Sequence, residues 1–150
     1  TADRIDLFPD GSIAIVDYKT GKPPSAKQVH TGFALQLGLL GAIAEAGGFP
    51  DLGGPHRAFE FEYWSLGKGK GGAFGYCYRP TKAAGGKDRV ATEDLTRHAT
   101  DRFREHAGRW LTGDEPFTAQ LNPDLPSYGD YDQLMRLEEW YGRTGGEEGA

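Results

Sequence analysis

Pro9-Asp10-Gly11 separates two short runs of alternating side chains, and no other feature restricts the early path of this chain as tightly. Proline opens a type I turn, aspartate follows, and glycine takes the left-handed position of a three-residue hairpin loop. That loop sets a register: Phe8 opposite Ser12, Leu7 opposite Ile13, Ile5 opposite Ile15, and Asp3 opposite Asp17. Side chains alternate faces along a strand, so Asp3, Asp17 and Lys19 share one face. Opposed carboxylates repel. A fold accommodates them when one takes a proton or a cation lies between them. A hard divalent ion suits such oxygen ligands, and Mg²⁺ is usually held by one or two carboxylates. The competing reading is an exposed edge where the three groups are solvated and contribute little. A slip of one residue would move Asp3 to the other face.

A chain of 150 residues is long enough for one domain with a real core. Its single cysteine, Cys77, excludes an internal disulfide and any zinc or iron–sulfur centre built on several thiolates of this chain. The longest apolar run, 33–44, contains Gln36 and is too short to span a bilayer, so no membrane partner is expected. The net charge of −5 argues against strong free-standing DNA binding. It argues less against a catalytic subunit, whose site needs acids and whose partner can supply the basic track.

Along the chain, residues 4–8 and 13–19 read as the hairpin strands, and 20–25 as a loop ending in a helix-capping Ser25. Val29, Phe33, Leu37, Leu40 and Ala44 recur at helical spacing, which predicts one amphipathic helix over 27–46, stopped by Gly47-Gly48. Leu35, Leu39 and Ile43 suggest burial on a second side. Phe59, Phe61 and Tyr63 alternate with Glu60, Glu62 and Trp64 as a strand. A glycine- and lysine-rich loop over 66–72 joins it to a strand over 74–79. Thr92 is placed to cap a helix with a buried stripe of Leu95, Ala99, Phe103, His106 or Ala107, and Trp110. Residues 131–141 read as a short last helix and 142–150 as an acidic disordered tail. The expected organisation is a core over 1–112 and a C-terminal extension of the same domain over 113–150. Strands mixed with helices imply an α/β or α+β arrangement around a mixed sheet.

Several features have plain structural readings. The 67–72 loop lacks the P-loop ending and reads as a hairpin turn. Arg97, Arg102, Arg104 and Arg109 read as a solvated helix face, with DNA backbone contact as the alternative. Cys77 reads as buried and inert, and the tryptophans as core. The histidines lack metal-ligand spacing, although His30 lies near the start of the Gln36 helix.

Ala2-Asp3-Arg4-Ile5-Asp6, the turn, Ile15-Val16-Asp17-Tyr18-Lys19-Thr20-Gly21, and then Gln36-Leu37-Gly38-Leu39-Leu40 follow one another over residues 2–44. In that order they resemble the core of the PD-(D/E)XK nuclease superfamily, RecB-like branch. They look most similar to the C-terminal nuclease domain of AddB, a subunit of bacterial AddAB helicase–nucleases. The segment 128–134, with Trp140, resembles the same family's C-terminus. The resemblance implies a restriction-endonuclease-like core with helices flanking a mixed sheet. By position it makes Asp3 the first metal-binding aspartate, Asp17 the second acidic ligand, Lys19 the catalytic lysine and Gln36 the motif's glutamine. It adds the Tyr18 carbonyl as a third metal ligand. Asp6, on the opposite face from Asp3, is read as structural and paired with Arg4 or a loop lysine.

The resemblance further implies Mg²⁺, with Mn²⁺ as a substitute, and hydrolysis of DNA phosphodiesters to a 5′-phosphate and a 3′-hydroxyl. The implied partners are DNA and an AddA-like helicase–nuclease subunit, the setting double-strand-break repair, and the place the bacterial cytoplasm. This sequence departs from the pattern in four ways. The helix that usually precedes Asp3 and the glycine before it lie outside the chain. Leu40 stands where a tyrosine is usual, and Cys77 alone cannot carry the four-cysteine iron–sulfur cluster of many AddB proteins. The alternatives are a catalytically inactive nuclease-fold module that binds DNA or a partner subunit, and an acidic α+β interaction domain outside this family.

Overall fold

In a computed structural model, residues 1–116 are described except 70, 71 and 73. The helix expected over 131–141, the tail and the 128–134 motif lie outside the described residues. Thr1–Asp114 form one compact unit.

The hairpin forms in the register that its turn requires. Strands β1 (Arg4–Leu7) and β2 (Ile13–Lys19) pair antiparallel, with Ile5 opposite Ile15 and Leu7 opposite Ile13. Phe8 N–H donates to Ser12 O at 2.9 Å and Gly11 N–H to Phe8 O at 3.0 Å. Gly11 has φ of 83°, the left-handed value expected of it. Asp10 locks the loop by accepting from the Ser12 N–H and hydroxyl, at 2.9 and 2.7 Å. Asp6 pairs with Arg4 at 2.8 Å.

Strands β3 (Ala58–Lys68) and β4 (Phe74–Tyr78) complete a mixed sheet ordered β1-β2-β3-β4. The central pair, β2 and β3, is parallel, and the outer pairs are antiparallel. A parallel pair needs a crossover, and the helical segment between the strands supplies it. Strand β3 runs past the expected loop start at Leu66. Its pairing with β4 shifts between Ser65 and Lys68, so Gly67 marks an irregularity in the strand and not its end.

The single helix expected over 27–46 is two helices, α1 (Ala26–His30) and α2 (Gln36–Glu45). Ser25 caps α1 as expected, in a reciprocal capping box with Gln28. Gly32, at φ 82°, ends it, and the Phe33 and Ala34 N–H groups turn back onto Gln28 O at 2.8 and 3.1 Å. The break changes the helical phase, so Phe33, read as core, is 66 % exposed, and Ile43 also faces outward. Ala46 and the left-handed Gly47 terminate α2 where the paired glycines predicted.

Helix α2 lies on the sheet beneath α3 (Leu95–Trp110). A methyl group at Gly38 would stand 2.5 Å from Ala99 Cβ and 2.8 Å from Leu95 O. One at Gly41 would stand 2.8 Å from Thr96 Cγ2 and 2.9 Å from the Phe61 ring. These bare positions allow α2 to sit flat against both neighbours. The core between sheet and helices contains Ile13, Ile15, Val29, Leu37, Leu40, Phe61, Tyr63 and Leu95. Thr92 does not cap α3: a 3-10 turn over Thr92–Asp94 precedes the helix, and the Thr92 hydroxyl donates to Thr81 at 3.0 Å. The buried stripe of α3 covers Leu95 and Ala99 but not Phe103, because α3 runs past the start of α2, beyond its contact at Gly38. Cys77, read as buried, is exposed, because its side of β4 faces away from the core. Trp64, read as core, is half-buried on the sheet face opposite Phe61.

His56 ties the hairpin to the crossover. Its Nδ1 lies 2.8 Å from Gly11 O and its Nε2 3.0 Å from Leu52 O. Only the imidazolium donates from both nitrogens, so the Gly11 carbonyl, then that of Leu52, raises the His56 pKa above its usual value. A raised folded-state pKa contributes stability that is full below the unfolded value of 6.5 and is lost as pH rises through the folded value. The melting temperature should therefore contain a component that falls as pH rises above about 6.5. His56→Leu should remove that component in a thermal-melt series. Gly38→Ala should destabilise the fold by about 1–3 kcal/mol in urea unfolding, despite alanine's better helix propensity, since one clash is with backbone.

Candidate active site

The end of β2 brings three of the expected residues into one cluster. Asp17 is a central-strand residue with a side chain only 2 % exposed, and Lys19 lies two residues on, on the same face and 29 % exposed. The Lys19 ammonium stands 2.7 Å from Asp17 Oδ2. Gln36 enters from the first position of α2. Its Nε2 donates to Asp17 Oδ1 at 2.5 Å, and its Oε1 accepts from Lys19 Nζ at 3.0 Å. The glutamine thus connects acid and base in a closed triangle. The turn at Gly32 is what brings α2 to begin at this point.

Asp3 sits just before β1, in line with Asp17 by continuation of the observed register. Its Oδ2 accepts from the Tyr18 N–H at 3.0 Å. It therefore joins the site through the peptide between Asp17 and Tyr18, with no direct bond to Lys19 or Gln36 among those described. The Tyr18 side chain points to the other face, where its ring meets Trp64 edge-on at 5.9 Å and Arg4 stacks over Trp64 at 4.9 Å. Only the main chain of Tyr18 is available to the cluster.

Asp17 Oδ2 is buried and, although beside the ammonium, accepts no aligned hydrogen bond. An open lone pair on a buried carboxylate, with a second carboxylate one peptide away, suits a hard cation. Two carboxylates and a carbonyl are a donor set of the kind Mg²⁺ takes, with water and phosphate completing it. Among the described residues no group of three or more His, Cys, Asp and Glu side chains is disposed to hold a metal, so a cation here would rely on main-chain, water or substrate oxygens.

Tyr63 was legible as a strand residue but not as a neighbour of the site. It pairs with Asp17 across the parallel β2–β3 register, a non-local contact with no motif to announce it. It is fully buried, its hydroxyl has no partner, and Lys19 Nζ lies 5.7 Å from its ring centroid. Burial, then the nearby Asp17 charge, holds this phenol well above its usual pKa, so it stays a neutral O–H.

His30 does not approach the cluster. It stacks on His98 at 6.0 Å in a cleft of about 350 Å³ shared with α3. Arg97, Arg102 and Arg104 pair with Asp94, Glu105 and Asp101 on their own turns, which neutralises much of the basic face of α3.

The family model of the PD-(D/E)XK nuclease superfamily matches residues 1–123. No curated protein and no solved structure matches the chain. The matched span covers the cluster and the whole described sheet, and the mixed sheet with flanking helices is the restriction-endonuclease-like fold of that superfamily.

Lys19→Met should leave the Asp17 charge buried beside Gln36 alone. A fully buried pair broken in this way costs roughly 3–5 kcal/mol, and the partial exposure of Lys19 reduces the expected loss to about 1–3 kcal/mol. Adding Asp17→Asn should restore most of it in a double-mutant cycle read by urea unfolding.

Proposed function

The chain belongs to the PD-(D/E)XK nuclease superfamily, and from that premise we propose that it is a metal-dependent DNA nuclease domain acting through Asp3, Asp17, Lys19 and Gln36. The observation that carries this reading is the closed Asp17–Lys19–Gln36 triangle around a buried carboxylate, with the Asp3 carboxylate one peptide away. Members of this superfamily generally use divalent metal ions. Mg²⁺, with Mn²⁺ as a substitute, would be held by Asp17, Asp3 and the Tyr18 carbonyl. When bound, such an ion lowers the pKa of a water and offsets phosphate charge.

The chain's own groups do the rest. Lys19, placed by the Asp17 carboxylate and the Gln36 carbonyl oxygen, orients the attacking water and donates to the phosphate oxygen on which charge builds. Gln36 fixes the separation between acid and ammonium, so neither has to reorganise during the reaction. Asp3 accepts from the Tyr18 N–H and so restrains the Asp17–Tyr18 peptide that carries the Asp17 side chain. Water attack on phosphorus then releases a 5′-phosphate and a 3′-hydroxyl.

The order of motifs from Asp3 to Leu40 supports a narrower assignment, to the RecB-like branch and an AddB-type subunit. On that reading the domain works within a helicase–nuclease complex on double-strand breaks in the bacterial cytoplasm. An AddA-like partner would supply the basic track. The net charge of −5 and the self-paired arginines of α3 fit a chain that does not track DNA alone.

Asp17→Ala should abolish Mg²⁺-dependent cleavage of DNA while the thermal melt stays cooperative, and full activity in that variant would remove the proposal. Lys19→Ala should retain cation binding by calorimetry yet lose turnover by about 10²-fold or more. DNA binding without cleavage by the wild-type chain, in Mg²⁺ and in Mn²⁺, would instead identify an inactive nuclease-fold module.

A further inference from the structure

The irregularity in β3 is built around one hydroxyl. Ser65 is 2 % exposed, a small polar residue on a strand whose other core-facing positions include Phe61 and Tyr63. Its hydroxyl donates to Gly21 O at 3.0 Å and accepts from the Gly67 N–H at 3.2 Å. The first bond reaches the chain just beyond β2. The second closes a local turn where the pairing of β3 with β4 shifts. Ser65 also lies opposite Lys19, and that pair is the last rung of the β2–β3 register. The two side chains therefore leave the sheet on one face. Past this rung Thr20, Gly21 and Lys22 are exposed. A methyl group at Gly67 would stand 3.4 Å from Ser65 Oγ and 3.7 Å from Thr20 O, so β3 passes against the loop that follows the lysine.

We propose that Ser65 is a positioning residue for Lys19: its buried hydroxyl clamps the chain at Gly21, two residues past the lysine, and so fixes the backbone from which the ammonium reaches Asp17 and Gln36. Lys19 ends its strand, and a strand end that opens carries its side chain with it. The ladder restrains the chain before the lysine, and the Ser65–Gly21 bond restrains it after. From this fixed backbone the side chain passes near the Tyr63 ring, with its ammonium 5.7 Å from the ring centroid. It then meets Asp17 Oδ2 at 2.7 Å and Gln36 Oε1 at 3.0 Å. Strand irregularities beside reaction centres commonly aim a side chain, and this one aims it from the neighbouring strand. The role in turnover rests on the nuclease reading, whereas the restraint on the strand end does not require cleavage.

The test compares the full chain with Ser65→Ala and Ser65→Thr. Hydrogen exchange is followed by mass spectrometry over a peptide covering 18–22, and Mn²⁺ binding by calorimetry. Cleavage of DNA is measured in Mg²⁺, well below each melting temperature. Ser65→Ala should melt about 5 °C below the wild type. Its residues 18–22 should exchange about tenfold faster. Turnover (kcat) should fall about tenfold with KM for DNA and Mn²⁺ affinity unchanged, because Asp3 and Asp17 keep their own bonds. Ser65→Thr keeps the hydroxyl on a side chain that suits a strand, and should restore exchange and kcat to near the wild-type values. Unchanged exchange over 18–22 in Ser65→Ala overturns the inference, as does an unchanged kcat in an active chain. A Ser65→Thr chain as impaired as Ser65→Ala also overturns it, as does a joint fall of kcat and Mn²⁺ affinity, since each marks a general packing role. A wild type that cuts no DNA in Mg²⁺ or Mn²⁺ sinks the nuclease reading, and the exchange comparison then decides whether Ser65 holds the strand end.

Discussion

A carboxylate removed from water must be compensated where it stands, and the region around Asp17 is organised by that requirement. Its strand is buried from Ile13 onward, so the charge arrives at the edge of the core with almost no solvent. Desolvation of a lone carboxylate costs several kcal/mol. Lys19 and Gln36 offset it from opposite sides, one through charge and the other through a hydrogen bond. At Oδ2 the compensation is the Lys19 charge alone, with no aligned hydrogen bond. A site that satisfied every oxygen of Asp17 internally would have nothing to offer a cation.

Two kinds of connection converge on this residue. The tight loop at Gly11 fixes which residue of β1 meets which of β2, and so brings Asp3 to the Tyr18 peptide. The long crossover through α1 and α2 fixes where Gln36 enters. Tyr78 supports that crossover from the far strand, accepting from the Ala26 N–H at 2.9 Å. His56 joins the two systems by bridging the hairpin tip and the segment leading into β3. A polar triangle of a few ångströms therefore depends on both local and distant parts of the chain.

What could be read from sequence follows the same division. The hairpin register was legible because three turn residues determine it, with no help from tertiary structure. Ser25 and Gly47 were legible for the same reason, as local caps. The break at Gly32 was not, because Val29, Phe33 and Leu37 keep helical spacing across it, and only the exposure of Phe33 shows that the phase has changed. Residues 66–68 were read as the start of a loop, whereas β3 continues through them with an irregularity between Ser65 and Lys68. The parallel pairing of β2 with β3 has no local signature, so Tyr63 could be placed on a strand but not beside Asp17. Cys77 was misjudged because strand membership was taken for burial on a strand whose side chains are half outside.

Gly38 and Gly41 leave α2 without side chains where it meets Leu95, Thr96 and Ala99 of α3 and, at Gly41, Phe61 of the sheet. The helix behaves as a lever on a bare fulcrum, with Gln36 at its working end. Even one methyl group of added thickness would tilt that end and withdraw the amide from the carboxylate it bridges. The reach of a polar side chain at the reaction centre is thus calibrated by two residues that have no side chain and take no part in the chemistry.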